Sequence, residues 1–96
     1  MHRRIDVLAF ENCQLLDVAG PLQVFATAND LARQAGHAMP YAPVVVGQDG
    51  PVASSSGLVL GSESLPGADT PVDTLVVAGG WGVQRACEDA KLIEWI

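Results

Sequence analysis

The segment from Gln14 to Phe25, QLLDVAGPLQVF, joins a short apolar run to an amphipathic one. The apolar run, Ile5 to Phe10, ends at polar Glu11, which predicts a buried β-strand. From Pro21 onward apolar residues recur at steps of three and four, which predicts a helix that begins near the proline and ends near Gly36. A buried strand followed directly by a helix is typical of the start of a parallel α/β sheet.

The same alternation of strands and helices continues to the end of the chain. Tyr41 to Val46 and Asp73 to Ala78 predict two further buried strands. Two short arms around the sequence SSSG, between Pro51 and Leu60, predict a hairpin or an edge excursion. The run from Val83 to Ile96 predicts a second helix. The apolar positions of the first helix are expected to form one stripe: Leu22, Val24, Phe25, Ala28, Leu31, Ala32 and Ala35.

Composition narrows the function classes. Apolar residues make up 49% of the 96 residues and charged residues 17%, which is typical of a folded globular chain. No apolar run is long enough to span a membrane, and no targeting signal is recognisable, so we expect a cytoplasmic protein. The formal charge of −6 repels nucleic-acid phosphates, which argues against DNA binding by this part of the chain.

Asp17 is the first candidate site residue, because it lies where a strand gives way to a helix. One interpretation is that its carboxylate caps the helix by accepting backbone N–H groups. The other is a partly buried acid that shares a proton with a thiolate or a bound ligand. The two interpretations are compatible.

Gly79-Gly80-Trp81-Gly82 is the second candidate, because it directly follows a predicted strand. Glycines there let the backbone turn sharply and expose N–H groups that can hold an anion, although a purely structural turn explains them equally well. Trp81 is either a pocket wall or an aromatic side chain that fills the sheet edge. The run matches neither a dinucleotide nor an NTP motif, so no cofactor is expected.

The cysteines provide no clear nucleophile or metal site. Cys13 has no neighbouring base or positive charge that would make it a nucleophile. Cys87 lies beside Glu88 and Asp89, so a core or helix-surface position is expected for it. Their spacing does not match a metal site, and both are expected to be free thiols.

Together, QLLDVAGPLQVF, SSSGL from Ser54 to Leu58 and DTLVVAGGWGV from Asp73 to Val83 resemble the PfpI/ThiJ-like superfamily, which is related to class I glutamine amidotransferases. More closely, they resemble the N-terminal sensing domain of GlxA-type AraC-family transcription regulators. The resemblance implies a flavodoxin-like three-layer sandwich with a mainly parallel sheet. Residues 1–96 would be the N-terminal part of one such domain, without the DNA-binding domain.

The resemblance also implies roles for the candidate residues. Superfamily enzymes have an acid at the position of Asp17, an oxyanion site at Gly79 and Gly80, and a cysteine on an elbow that would follow Ile96. In the regulators, Asp17, Gly79, Gly80 and Trp81 would line the pocket of a small-molecule effector. A homodimer is expected, and DNA would be bound only through a C-terminal helix-turn-helix region.

Two hypotheses about function therefore follow from the sequence. The preferred one is a ligand-sensing, dimerising domain of an AraC-family regulator. The alternative is part of a cysteine-dependent hydratase or hydrolase, such as an isonitrile hydratase-like enzyme, in which Asp17 would be catalytic.

Overall fold

A computed structural model describes residues 2–96 of the chain. The elements, in chain order, are β1 (Arg3–Leu8), α1 (Leu15–Gln34), β2 (Tyr41–Gly47), β3 (Val52–Ala53), β4 (Val59–Leu60), β5 (Glu63–Ser64), β6 (Thr74–Val77), α2 (Val83–Cys87) and α3 (Ala90–Trp95). None of the helices in the described part of the chain is long and apolar enough to cross a membrane.

The central sheet has four strands in the order β5-β2-β1-β6, and every pair in it is parallel. β1 is therefore an inner strand, paired with β2 on one side and β6 on the other. β3 and β4 form a separate antiparallel hairpin around the SSSG turn, which is one of the two alternatives predicted there. The mainly parallel α/β sheet confirms the predicted fold class.

Helices cover both faces of this sheet. Neighbouring residues of a strand point to opposite faces, and Val7 packs in a cluster with Val18 of α1, whereas Leu8 packs in a cluster with Leu92 of α3. Val7, Leu8 and Val18 are almost completely buried. The central strand thus lies between two apolar layers, which gives the expected sandwich.

The first helix begins earlier than predicted. α1 starts at Leu15, so Pro21 lies inside it rather than at its first turn, and Asp17 belongs to the first turn. A proline has no N–H to donate to the carbonyl four residues earlier, which here is that of Asp17. The residue before a proline is disfavoured in helical conformation, because its Cβ clashes with the proline ring. Gly20 has no Cβ, so this clash is absent and the helix can continue into Pro21.

The predicted stripe of α1 is partly wrong. Val24 and Leu31 are 65% and 61% exposed, so they lie on the outer face of the helix instead of in the core. The residues of α1 that are buried are Val18 and Asn29. The Asn29 amide holds the start of β2, since its Oδ1 accepts the Tyr41 N–H at 3.0 Å and its Nδ2 donates to the Tyr41 carbonyl at 2.9 Å.

Two predictions about the second half of the chain need correction. The single helix predicted from Val83 to Ile96 is divided into α2 and α3, because Asp89 is extended and its Oδ1 accepts the Leu92 N–H at 3.2 Å as a cap. The strand β6 lies at the edge of the sheet, with Val77 49% exposed, and is therefore not fully buried.

Candidate functional site

The loops that follow β1 and β6 meet at one edge of the central sheet. The chain runs from β1 through α1 to β2 on one side, and later returns to β6 on the other side of β1. Loops that diverge in this way at the carboxyl ends of neighbouring parallel strands leave a crevice where ligands of α/β proteins commonly bind. Asp17 and the glycine run lie at this position.

The carboxylate of Asp17 contacts the glycine run directly. Asp17 Oδ2 accepts the backbone N–H of Gly79 at 2.8 Å, across 62 positions of sequence. The contact is reinforced by Gln14, whose backbone N–H donates to the Gly79 carbonyl at 2.9 Å. The structure therefore brings together the acid and the glycine turn that the sequence singled out separately.

The glycines permit a close approach that a side chain would prevent. A Cβ on Gly79 would lie 2.9 Å from Asp17 Oδ2, and one on Gly80 would lie 2.5 Å from the backbone nitrogen of Gln14. Gly80 also has φ = +110°, a conformation that residues with a Cβ rarely adopt. A Cβ on Gly82 would collide with the Glu11 carbonyl oxygen. The run is thus a packing surface as well as a turn.

The capping role considered for Asp17 is not the one the structure shows. The N-cap of α1 is Gln14, and it makes no side-chain capping hydrogen bond. The Asp17 carboxylate instead lies in the first turn, where the helix dipole favours a negative charge, and accepts a hydrogen bond from another loop. Within residues 2–96 the Gly80 N–H donates to no backbone carbonyl.

Trp81 is exposed to solvent over 87% of its surface. The alternative in which it fills the sheet edge is therefore wrong. Its use as a wall of a ligand pocket stays a prediction.

The two cysteines lie in different environments, and Cys87 has the helix-surface position that was one of the two expected for it. Cys13 is completely buried in the cluster beneath α1, and Cys87 is exposed on α2. Both are free thiols. Within the described residues, no group of three or more His, Cys, Asp or Glu side chains is placed to hold a metal ion.

A second cleft, which the sequence analysis missed, lies next to these loops. It has a volume of about 220 Å³, and its polar lining includes Glu11, Asp49, Arg85 and Asp89. Asp17, Gly79, Gly80 and Trp81 do not line it. Glu11 and Asp49 closely follow β1 and β2, which are paired parallel strands. Acids at the carboxyl ends of two such strands are a sequence pattern from which this cleft could have been predicted.

Comparison with solved structures identifies the fold. A crystal structure of an AraC family transcriptional regulator from Pseudomonas putida has a TM-score of 0.67 and 24% identity, with 97% of this chain and 61% of that one covered. Toxoplasma gondii DJ-1 has a TM-score of 0.67 and 18% identity, with 97% and 47% covered. Drosophila melanogaster DJ-1beta has a TM-score of 0.63 and 23% identity, with 97% and 46% covered.

Comparison of sequences gives one curated relative but no family. No protein-family model matches the chain. An uncharacterized protein in the cpoL 5′ region of Streptomyces lividans is 38% identical over 78 residues, which are 80% of this chain and 51% of that protein. The chain therefore spans about half the length of this relative. From the structural comparisons, the chain has an α/β fold that is similar to that of DJ-1 proteins and of an AraC-family regulator.

Proposed function

We propose that this chain is the N-terminal part of a ligand-sensing, dimerising domain of an AraC-family transcription regulator. Asp17, Gly79, Gly80 and Trp81 form the effector site in this proposal. The observation that carries it is the hydrogen bond between the Asp17 carboxylate and the Gly79 N–H at the crevice between β1 and β6. That bond joins the Asp17 carboxylate to a turn whose next two residues, Gly80 and Trp81, are exposed to solvent.

The charge of the chain and the AraC-family structural neighbour support this assignment. A domain with a formal charge of −6 is suited to a small molecule and leaves DNA to a different, basic part of the protein. The likeness to the Pseudomonas putida regulator covers 97% of the chain. The effector would act by binding two arrangements of the domain with different affinity, since equal affinity shifts no equilibrium.

The alternative is a cysteine-dependent hydratase or hydrolase. One DJ-1 structure has the same TM-score as the regulator, 0.67, and the other has 0.63, so fold likeness does not separate the two functions. In the enzyme, a cysteine outside residues 1–96 would attack the substrate and Asp17 would relay a proton. Cys13 is unsuitable for that role because it is completely buried.

The test uses the complete protein and two matched variants, Asp17→Asn and Asp30→Asn. Both aspartates lie on α1, but Asp30 is an exposed residue paired with Arg33 at 3.0 Å, away from the glycine turn. A library of small metabolites is screened by thermal unfolding. A compound present at 100 times its Kd is expected to raise the Tm of the wild type and of Asp30→Asn by about 5–10 °C, and that of Asp17→Asn by much less.

The same compound is expected to change the affinity of the complete protein for its own promoter DNA in a gel-shift titration. A reading frame without a basic helix-turn-helix region would overturn the regulator proposal. Conversion of an isonitrile to its formamide by the wild type, lost in Asp17→Asn and kept in Asp30→Asn, would establish the enzyme instead.

A further inference from the structure

The cleft of about 220 Å³ beside the candidate site has an apolar floor and a charged rim. The floor consists of buried residues from the end of β1, from β3 and from α3: Ala9, Phe10, Val52 and Leu92. The rim carries three acids and one base: Glu11, Asp49, Asp89 and Arg85. A concave surface with an apolar lining and a few converging charged groups is typical of a site for a small molecule.

Backbone hydrogen bonds hold the walls of this cleft together. The Asn12 N–H donates to the Ala53 carbonyl at 2.8 Å, and the Gly82 N–H donates to the Asn12 carbonyl at 3.1 Å. The loop after β1 is thereby bonded to the hairpin on one side and to the start of α2 on the other. The Asp89 carboxylate is also held in place, because its Oδ1 accepts the Leu92 N–H at 3.2 Å. The cleft is therefore preorganised, which lowers the free-energy cost of binding.

The charges on the rim are spread apart. Within residues 2–96 Arg85 forms no ion pair, although three acids line the same cleft. In the same part of the chain, no three acidic, histidine or cysteine side chains lie close enough together to hold one metal ion. A single small cation therefore cannot contact all the acids of the rim, whereas an elongated cation can contact acids at two places.

We infer that this cleft binds a short aliphatic diamine. Three acids and one base leave the rim with a formal charge of −2, which the two ammonium groups of a diamine balance. Each ammonium group donates charge-assisted hydrogen bonds to a carboxylate, and the methylene groups between them lie on the apolar floor.

The size of the cleft agrees with such a ligand. Its volume of about 220 Å³ corresponds to roughly seven water molecules in the liquid. 1,4-Diaminobutane and 1,5-diaminopentane have a similar number of non-hydrogen atoms. The inference goes beyond the proposed function, because none of the effector-site residues lines the cleft.

Isothermal titration calorimetry of the complete protein with 1,4-diaminobutane, at pH 7 and low ionic strength, provides the first test. One-to-one binding is expected. The double variant Glu11→Gln/Asp49→Asn should raise the Kd about tenfold, since it removes two charged contacts from a solvent-exposed rim. Asp69→Asn/Asp73→Asn is the matched control, because it removes the same charge from exposed acids outside the cleft, and it should leave the Kd nearly unchanged.

Arg85→Gln and two analogues of the ligand test the assignment of charge. Arg85 is exposed on α2, so its substitution should not disturb folding. Removal of this like charge is expected to lower the Kd of 1,4-diaminobutane about threefold. 1-Aminobutane, which has one ammonium group, should bind the wild type at least about fivefold more weakly than the diamine. The uncharged 1,4-butanediol should show no binding.

The inference is wrong if 1,4-diaminobutane does not bind, or if it binds the wild type and Glu11→Gln/Asp49→Asn with the same Kd. Weaker binding to Arg85→Gln would show that the cleft takes a ligand with a carboxylate group, which overturns the diamine as well. Circular dichroism establishes that the variants are folded. If the double variant were unfolded, the analogues and Arg85→Gln decide. These measurements require neither a DNA-binding region nor turnover, so their outcome is separate from that of the proposed function.

Discussion

Replacing Asp17 with alanine is the sharpest test of the loop contact at the site. The substitution removes the acceptor of the Gly79 N–H, which lies 2.8 Å from Asp17 Oδ2 in a partly buried position. A hydrogen bond to a charged group contributes about 1.5–3 kcal/mol, and an acid in the first turn of a helix adds about 0.5 kcal/mol. Since Asp17 is only half-buried, the lower half of that range applies, and we expect a loss of about 2 kcal/mol.

Two further variants separate the contributions to this loss. Asp17→Asn keeps a carbonyl acceptor for Gly79 and removes only the charge, so about 1 kcal/mol of destabilisation is expected. Asp30→Asn removes an exposed ion pair on the same helix and should change stability by less than about 1 kcal/mol.

The free energy of unfolding is measured by urea titration of the complete protein at pH 7. Hydrogen exchange at the Gly79 amide gives a local measurement, and about 2 kcal/mol corresponds to exchange roughly 30-fold faster in Asp17→Ala. If Asp17→Ala were no less stable than Asp30→Asn, with unchanged exchange at Gly79, the Asp17–Gly79 contact would not hold the loops together.

The remaining predictions concern the packing around this contact. Gly80→Ala forces a Cβ to within 2.5 Å of the Gln14 nitrogen at φ = +110° and should cost at least about 3 kcal/mol, whereas Gly67→Ala, whose Cβ meets nothing within 4 Å, should be nearly neutral in the same urea titration. Cys13 is completely buried, so labelling with a thiol reagent should modify it only under unfolding conditions, and modification at the native rate of a surface thiol would refute its placement. Residues 1–96 expressed alone should aggregate, because edge strand β6 exposes Val77, and a monodisperse, cooperatively melting monomer in size-exclusion chromatography would contradict this.

The strands and the hairpin could be predicted from the sequence because local signals determine them. β1 and β2 are short apolar runs bounded by polar or turn residues, and the hairpin is marked by SSSG, where Gly57 has φ = +92°. The start of α1 could not be predicted in this way. Pro21 favours a first turn at its own position, but the helix begins at Leu15, beside the bond between the Gln14 N–H and the Gly79 carbonyl. That partner is 65 positions away.

Burial on α1 was mispredicted for a related reason. The helix is apolar on two faces, so periodicity alone cannot decide which face meets the sheet. Asn29 decides it, because its amide bonds to Tyr41 hold one face of α1 against β2 and leave Val24 and Leu31 outside. A polar residue that anchors a helix is not visible in a pattern of apolar positions.

The proximity of Asp17 to Gly79 could be predicted from the sequence, whereas the cleft of about 220 Å³ beside these loops was missed. The carboxyl ends of neighbouring parallel strands meet at one edge of a sheet, and the glycine run and Asp17 follow two such strands. Glu11 and Asp49 obey the same rule, but Arg85 and Asp89 enter the cleft from α2 and the turn before α3, and the division of those helices was not predicted.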